Sequence, residues 1–128
     1  MALKGVIHES RGIDHEDHRR ELFTAFNGDL GDFVARQVKF ARIKEDAVLG
    51  GHYHDYNELF YLLEGGGVFT LKDPTKGLIE DYDMVKKDRL FIPKGIAHKA
   101  TIKAGSILVG CTEEPYVSPE HNDHKYDF

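Results

Sequence analysis

The sequence predicts an all-β protein, either a sandwich or a barrel, formed by a single domain. Roughly nine short apolar runs are each broken by Gly, Pro, Asn or Asp, a pattern typical of many short strands joined by turns. No segment shows a sustained helical period. A chain of 128 residues is typical of one domain and is long enough to bury a core without disulfides.

The predicted elements follow in order from these runs. Residues 1–20 are polar and highly charged, so a short irregular arm is expected there, and residues 44–51 are expected to form a loop. Strands are predicted where apolar residues alternate or form a short run: 21–26, 33–43, 59–63, 67–73, 78–85, 88–93, 98–105 and 106–114. The tail 115–128 has two prolines and no period, which leaves a barrel core over about 21–112.

Composition narrows the classes of function. The net charge is −5 and there is no basic run, which argues against nucleic acid because binding to phosphates depends on clustered Lys and Arg. No apolar signal segment is present, and no stretch approaches the roughly 20 apolar residues of a membrane span. Cys111 is the one cysteine, so no intramolecular disulfide is expected. These features favour a cytoplasmic protein that binds a small molecule.

The stretch GGHYHDYNELFYLLEGGG, residues 50–67, carries the clearest functional signal. His52 and His54 point to the same face of a strand, and Glu58 has the same parity just before the apolar run 59–63. A fourth donor is available from His98, which opens a strand after the turn in IPKGIAHK. Imidazoles with one carboxylate suit Zn, Fe, Mn, Ni or Cu, so one divalent transition metal is predicted.

Two segments resemble the motifs of the cupin superfamily. HYHDYNELFYLLEG is similar to the first cupin motif and PKGIAH to the second, although Asp46, Lys87 and Ile102 replace two glycines and an asparagine of the family pattern. The resemblance implies a double-stranded β-helix barrel with an internal pocket. It also implies that the metal ligands of the family correspond to His52, His54, Glu58 and His98.

A second resemblance, to RmlC-like sugar-nucleotide cupins, covers nearly the whole chain. In the dTDP-4-keto-6-deoxyhexose 3,4-ketoisomerases and the cupin half of capsular-polysaccharide reductases, a strand like ARQVKFARI leads through a loop to the paired histidines. The chain of those proteins ends in an acidic, tyrosine-bearing tail similar to YVSPEHNDHKYDF. This resemblance implies an isomerase or epimerase that acts on a keto-sugar or a sugar nucleotide.

Such a reaction removes a proton next to a carbonyl and returns it at another carbon, which requires a base and a group that stabilises the enediolate. In a metal-free ketoisomerase, His52 and His54 would be the acid and base, but a nitrogen that binds metal is not a free base. The two versions therefore exclude each other. Tyr53, Tyr56 and Tyr61 are candidate hydroxyl donors, of which Tyr61 is kept as a catalytic candidate, although each is more typical of packing.

Other readings stay open at this point. Three histidines and one glutamate also suit a non-haem metal dioxygenase, and a cupin pocket can bind a sugar without chemistry. The histidines of HNDH, residues 121–124, are expected to be solvated surface. A homodimer that pairs through an edge strand is expected from the family and from the physics of exposed edges. Parity predicts the following pocket wall: Phe40, Phe60, Leu62 and Ile102.

Overall fold

Two five-stranded antiparallel sheets form the barrel in the computed structural model, which describes residues 3–128. The strands and the one helical turn within that range are β1 (Ile7–Ser10), β2 (His15–Glu16), β3 (Glu21–Leu22), β4 (Gln37–Arg42), β5 (Ala47–Tyr53), β6 (Glu58–Glu64), β7 (Gly66–Lys72), β8 (Ile79–Val85), β9 (Asp88–Ile92), β10 (Ala97–Ile102), β11 (Ile107–Thr112), α1 (Pro119–Asn122) and β12 (His124–Lys125). Within 3–128, no helix has the length and apolar character needed to cross a bilayer.

The strand order confirms the predicted all-β fold class. One sheet has the order β1-β9-β6-β11-β4, the other has the order β12-β5-β10-β7-β8, and β2 and β3 form a separate hairpin. Apart from β7 and β8, neighbouring strands of the two large sheets are not consecutive in the chain, as in a double-stranded β-helix. Strands β5 and β10 therefore lie side by side, which brings the two motifs of the sequence together.

Alternation along the strands sorts apolar side chains into two layers. Phe60 and Leu62 of β6 face the barrel interior, where they join Leu71 and Ile102 of the other sheet. Leu59 and Tyr61 face the opposite side of the same strand, in an outer cluster that includes Phe33. Because β6 is buried on both faces, its sequence reads as a continuous apolar run rather than an alternating one.

The N-terminal arm is more ordered than its composition suggests. It contributes β1, which pairs with β9 at the edge of a sheet, and the β2–β3 hairpin. All four residues of β1 are exposed. The segment therefore shows no alternation of apolar and polar residues that would indicate a strand. The strand predicted at 21–26 is present only as Glu21–Leu22.

A buried arginine fastens this arm to the barrel. Arg89 is 2% exposed, and its guanidinium donates to Glu9 at 2.8 Å, to Asp29 at 3.0 Å and to the carbonyl of Ala25 at 3.1 Å. The hydrogen bond from Arg89 lowers the pKa of Asp29 to about 2. Strand β1 and the segment 25–29 are thereby held to the barrel, and Phe26 of that segment packs against the outer cluster.

The loop predicted over residues 44–51 is wrong for most of its length, because β5 begins at Ala47. Gly50 and Gly51 suggested a loop, yet both lie within the strand with φ of +92° and +88°. At Gly50 a side chain would lie 2.6 Å from the carbonyl oxygen of His98. Glycine is needed there because two backbones come unusually close, not because the chain turns.

Candidate metal centre

The sheet register brings the predicted donors to one place. His98 on β10 is paired directly with His52 on β5, so their side chains are cross-strand neighbours. His54 follows at the end of β5 and faces the same interior. Glu58 is the first residue of β6 in the opposite sheet and reaches the histidines across the barrel.

The donor atoms of these four side chains converge. One ligand atom from each of the three histidines lies within 4.8 Å of the others. Glu58 Oε1 is 3.3 Å from His54 Nε2 and 3.6 Å from His98 Nε2. The ring centroid of His52 is 4.7 Å from the centroids of both His54 and His98.

Burial and close contacts set the pKa values of the side chains in this cluster. Burial lowers the pKa of His98 to about 4 and also lowers that of His52, so both rings are held neutral. Burial alone would raise the pKa of Glu58, but the close contact with His54 Nε2 outweighs it and lowers the pKa. Burial alone would also lower the pKa of His54, but the contact with Glu58 outweighs it and raises that pKa. The centre therefore presents two neutral imidazoles, His52 and His98, beside an ionised carboxylate, and His54 must lose its extra proton when a metal binds.

The donor set fits a divalent transition metal. Two ligands at about 2.0 to 2.2 Å from one ion lie roughly 3 to 4.4 Å apart, close to the separations found here. Glu58 Oε1 is fully buried and makes no hydrogen bond of good geometry to any residue in the range 3–128. Such an oxygen is costly to leave without a partner, and a cation between the imidazoles would supply one.

The C-terminal tail completes the centre. Strand β12 pairs with β5, which places Asn122 and Asp123 behind the histidines. The backbone carbonyl of Asn122 accepts a hydrogen bond from His54 Nδ1 at 2.8 Å. The carboxylate of Asp123 lies 3.4 Å from His54 Nδ1 and 3.9 Å from His52 Nδ1.

Two cavities meet at His52 and Asp123. The inner one, about 250 Å³, is lined by three of the four donors but not by His98, and its lining residues are Gln37, Lys39, His52, His54, Tyr56, Glu58, Thr112, Tyr116 and Asp123. The outer one, about 370 Å³, is a groove lined by Gly50, Gly51, His52, Pro119, Glu120, Asp123 and Lys125. The inner cavity is the chemical site because the buried donors face it, and the larger groove is its approach.

Lys39 is the one lysine or arginine among the residues lining the inner cavity. Its side chain crosses Gly110 on the neighbouring strand, where an added Cβ would lie 3.6 Å from Lys39 Cε. Its ammonium group lies 5.4 Å from the centre of the Tyr116 ring. The cavity therefore holds a positive charge that is suited to an anionic or strongly polarised oxygen of a ligand.

Of the three candidate tyrosines, Tyr56 alone lines the inner cavity. It stacks on His54 with ring centroids 4.7 Å apart. Tyr61 is 3% exposed but packs in the outer cluster against Phe23, so its hydroxyl is not brought to the site. Tyr53 stacks on His124 instead of facing the donors. Tyr56 shares the parity of the donors that line the cavity, whereas Tyr53 and Tyr61 have the opposite parity.

Of the predicted pocket wall, Phe60, Leu62 and Ile102 lie in the inner cluster. Phe40 does not, because it is 70% exposed on the outer side of β4. Sequence reasoning also missed Asn122 and Asp123 of the tail. A serine followed by proline, at 118–119, is a helix-start signal and does mark α1, but it carries no information about where that turn docks.

The chain resembles known proteins more clearly in its fold than in its sequence. No family model matches the chain. In sequence, the chain is 28% identical over 102 residues to an acireductone dioxygenase of Candida albicans, an alignment that covers 73% of this chain and 50% of that protein. The chain therefore spans about half the length of the curated relatives it matches.

Solved structures agree over almost the whole chain. The 3'-monoepimerase ChmJ from Streptomyces bikiniensis, in complex with dTDP-quinovose, superposes with a TM-score of 0.83 at 21% identity, covering 98% of this chain and 71% of that one. The epimerase RmlC from Legionella pneumophila, in complex with dTDP-4-keto-L-rhamnose, gives 0.82 at 20% identity, with 98% and 74% covered. The sugar 3,4-ketoisomerase QdtA from Thermoanaerobacterium thermosaccharolyticum, in complex with TDP, gives 0.80 at 17% identity, with 97% and 90% covered. Residues 3–128 thus share the barrel fold of these three enzymes.

Proposed function

We propose that this protein is a metal-binding cupin that isomerises or epimerises a keto-sugar, carried as a sugar nucleotide. The observation that carries the proposal is the buried cluster of three histidines and Glu58, facing the cavity of a barrel shared with ChmJ, RmlC and QdtA. These three enzymes are described with sugar nucleotides or TDP bound. Likeness of fold alone does not fix a substrate, so the chemistry of the cavity must support the assignment.

Epimerisation moves one carbon-bound proton, and isomerisation also moves a hydroxyl proton between the two oxygens. A base removes a proton from the carbon next to the carbonyl, and the electron pair shifts onto the carbonyl oxygen to form an enediolate. Returning the proton to the former carbonyl carbon moves the carbonyl, provided that the neighbouring hydroxyl loses its proton and the former carbonyl oxygen gains one. Returning it to the opposite face of the same carbon inverts that centre. Lys39 is suited to stabilise the negative oxygen because it is the one fixed cation among the cavity-lining residues.

In this proposal the metal is held by His52, His54, Glu58 and His98. When bound, it supplies Lewis-acid polarisation of the carbonyl oxygen. The base is then Asp123, the other carboxylate on the cavity wall, whose Oδ1 makes no hydrogen bond within the described chain. Without metal, His52 is the better proton acceptor of the histidine pair, because Asn122 and Glu58 already contact both ring nitrogens of His54.

The two cavities suit the two halves of a sugar nucleotide. The inner volume of about 250 Å³ lies below the roughly 300 to 1,000 Å³ of pockets for drug-sized ligands, which suits one sugar ring. The outer groove opens beside Gly50 and Gly51, which lack side chains, and Lys125 lies at its edge. We assign the sugar to the inner cavity and the nucleotide to the groove.

Exchange of a carbon-bound proton with solvent tests the proposal. Protein loaded in turn with zinc, manganese, iron(II) or nickel is incubated with TDP-4-keto-6-deoxyglucose in deuterium oxide and followed by proton NMR. We expect deuterium to enter at a carbon next to the carbonyl, and Asp123→Asn to slow this entry by about 100-fold or more. Tyr61→Phe, whose hydroxyl lies outside the cavity, is the matched control and should exchange at the wild-type rate.

The outcomes separate the versions of the mechanism. Exchange that persists in chelator-treated protein and is lost in His52→Gln would replace the metal version with the metal-free one. No exchange by any form of the protein would overturn the assignment to isomerases and epimerases.

A dioxygenase is the second candidate, favoured by the sequence match to acireductone dioxygenase. Three histidines and a carboxylate can leave coordination positions open on iron or nickel. Oxygen consumption by the metal-loaded protein with an acireductone, and none of the proton exchange described above, would favour this reading.

We also propose that the protein forms a homodimer through the edge of β4. This strand ends its sheet, and with the preceding loop it exposes Val34, Val38 and Phe40 by 61%, 54% and 70%. An open edge beside apolar side chains pairs readily with another strand, and a second copy offers the same edge about a twofold axis. A second copy would cover both the edge and these three side chains.

Sedimentation at several protein concentrations tests the dimer. Wild type is expected to sediment as a dimer and Phe40→Lys as a monomer, because a charge at the centre of the contact is costly to bury. Val85→Lys is the control, since Val85 is 60% exposed on β8, the edge of the other sheet. A monomeric wild type, or equal effects of the two substitutions, would contradict the proposal.

A further inference from the structure

Asn122 is buried in a tail whose neighbouring side chains are exposed. It is 3% exposed, whereas Glu120 and His121 beside it in α1 are exposed. Its amide oxygen accepts from the backbone N–H groups of Val117 and Ser118 at 2.7 and 3.2 Å. An asparagine this deeply buried and bonded organises the backbone around it.

The other side of the same amide reaches the barrel. Asn122 Nδ2 donates to the hydroxyl of Tyr56 at 3.2 Å and to the carbonyl of Pro115 at 3.2 Å. Tyr56 also stacks on the His54 ring, with an interplanar angle of 9°. Asn122 therefore joins the tail to the residue that forms one wall of His54.

The backbone carbonyl of Asn122 sets the orientation of His54. A carbonyl oxygen can only accept, so the 2.8 Å contact requires the proton to be on His54 Nδ1. The ring is then oriented with Nε2 toward Glu58, at 3.3 Å. Asp123 Oδ1 lies farther from Nδ1, at 3.4 Å, so the carbonyl is the principal partner.

We propose that Asn122 is a positioning residue, which latches the C-terminal tail to the barrel so that its carbonyl fixes His54 with Nε2 directed at the metal centre. Partners of the second ring nitrogen are known to set both the tautomer and the affinity of a metal-binding histidine. The metal-affinity part of this inference rests on the proposed function, whereas the orientation of His54 does not.

The first measurement observes the hydrogen bond itself. In protein labelled with ¹⁵N-histidine, we expect the Nδ1–H proton of His54 to be visible by NMR and to exchange slowly with water. Asn122→Ala should remove this signal while the barrel keeps its circular dichroism spectrum. His121→Ala, in the same helical turn but with an exposed side chain, is the matched control and should keep the signal.

The second measurement is zinc affinity by competition with a chelator. Asn122→Ala is expected to weaken zinc binding by about 10- to 100-fold, as loss of an outer partner of a ligand typically does. If Asn122→Ala does not fold, Tyr56→Phe serves instead, because it removes the hydroxyl partner and keeps the stacked ring.

The outcomes separate failure of the latch from failure of the metal site. If the protected Nδ1–H signal of His54 survived in both Asn122→Ala and Tyr56→Phe, the inference would be overturned, even if zinc binds. Loss of the signal in a protein whose wild type binds no zinc would support the latch and overturn the metal site instead.

Discussion

Glu58→Gln is expected to weaken zinc binding by at least about 100-fold while the metal-free protein stays folded. Glutamine keeps the size of the side chain but removes the one negative charge among the four converging donors. The metal-free protein should lose no more than about 2 kcal/mol, because a buried carboxylate is itself costly and His54 can release its proton when the charge is gone. Chelator competition gives the affinity, and urea unfolding with chelator present gives the free energy.

Glu64→Gln is the matched control for this prediction. Glu64 lies at the other end of the same strand, is exposed, and pairs with Lys86 at 3.1 Å. It should bind zinc as tightly as wild type and change stability by less than about 1 kcal/mol. If Glu58→Gln also bound zinc at wild-type strength, Glu58 would leave the ligand set and a centre of three histidines would remain.

Most strands could be predicted because local patterns encode them, whereas the convergence of His52, Glu58 and His98 was predicted from two separate segments taken together. The apolar run of β6 and the turn before His98 are short-range signals. The pairing of His98 with His52 was implied by the resemblance to the two cupin motifs, not by either segment alone. Whether these residues bind metal in this protein stays a prediction.

The contribution of the C-terminal tail to the candidate metal centre could not be predicted from the sequence. Asn122 meets His54 across 68 residues of chain, through a backbone carbonyl that every residue type possesses. The segment around it has no period, and Asn and Asp are most often found on the surface. The pairing of β1 with β9 was hidden for a related reason, since an edge strand exposed along its whole length carries no apolar pattern.

Gly50→Ala is expected to destabilise the protein by about 2 to 5 kcal/mol and to disrupt the centre. A left-handed φ costs an L-residue about 1 to 2 kcal/mol, and Gly50 has φ of +92°. In addition, the new Cβ would lie 2.6 Å from the oxygen of His98 and 2.9 Å from Lys99 Cα, so β10 must move. Overpacking of this kind adds about 1 to 3 kcal/mol.

Gly51→Ala separates the two causes because it shares the backbone conformation without the close contact. Its φ is +88°, but the nearest atom to an added Cβ is the oxygen of Tyr126 at 4.0 Å. Urea unfolding should therefore show a loss of only about 1 to 2 kcal/mol for Gly51→Ala. Zinc affinity should fall further in Gly50→Ala, because the displaced strand carries His98 away from His52. Equal losses in both variants would mean that the glycines serve backbone conformation alone, and that the close approach of β5 to β10 does not hold the two histidines together.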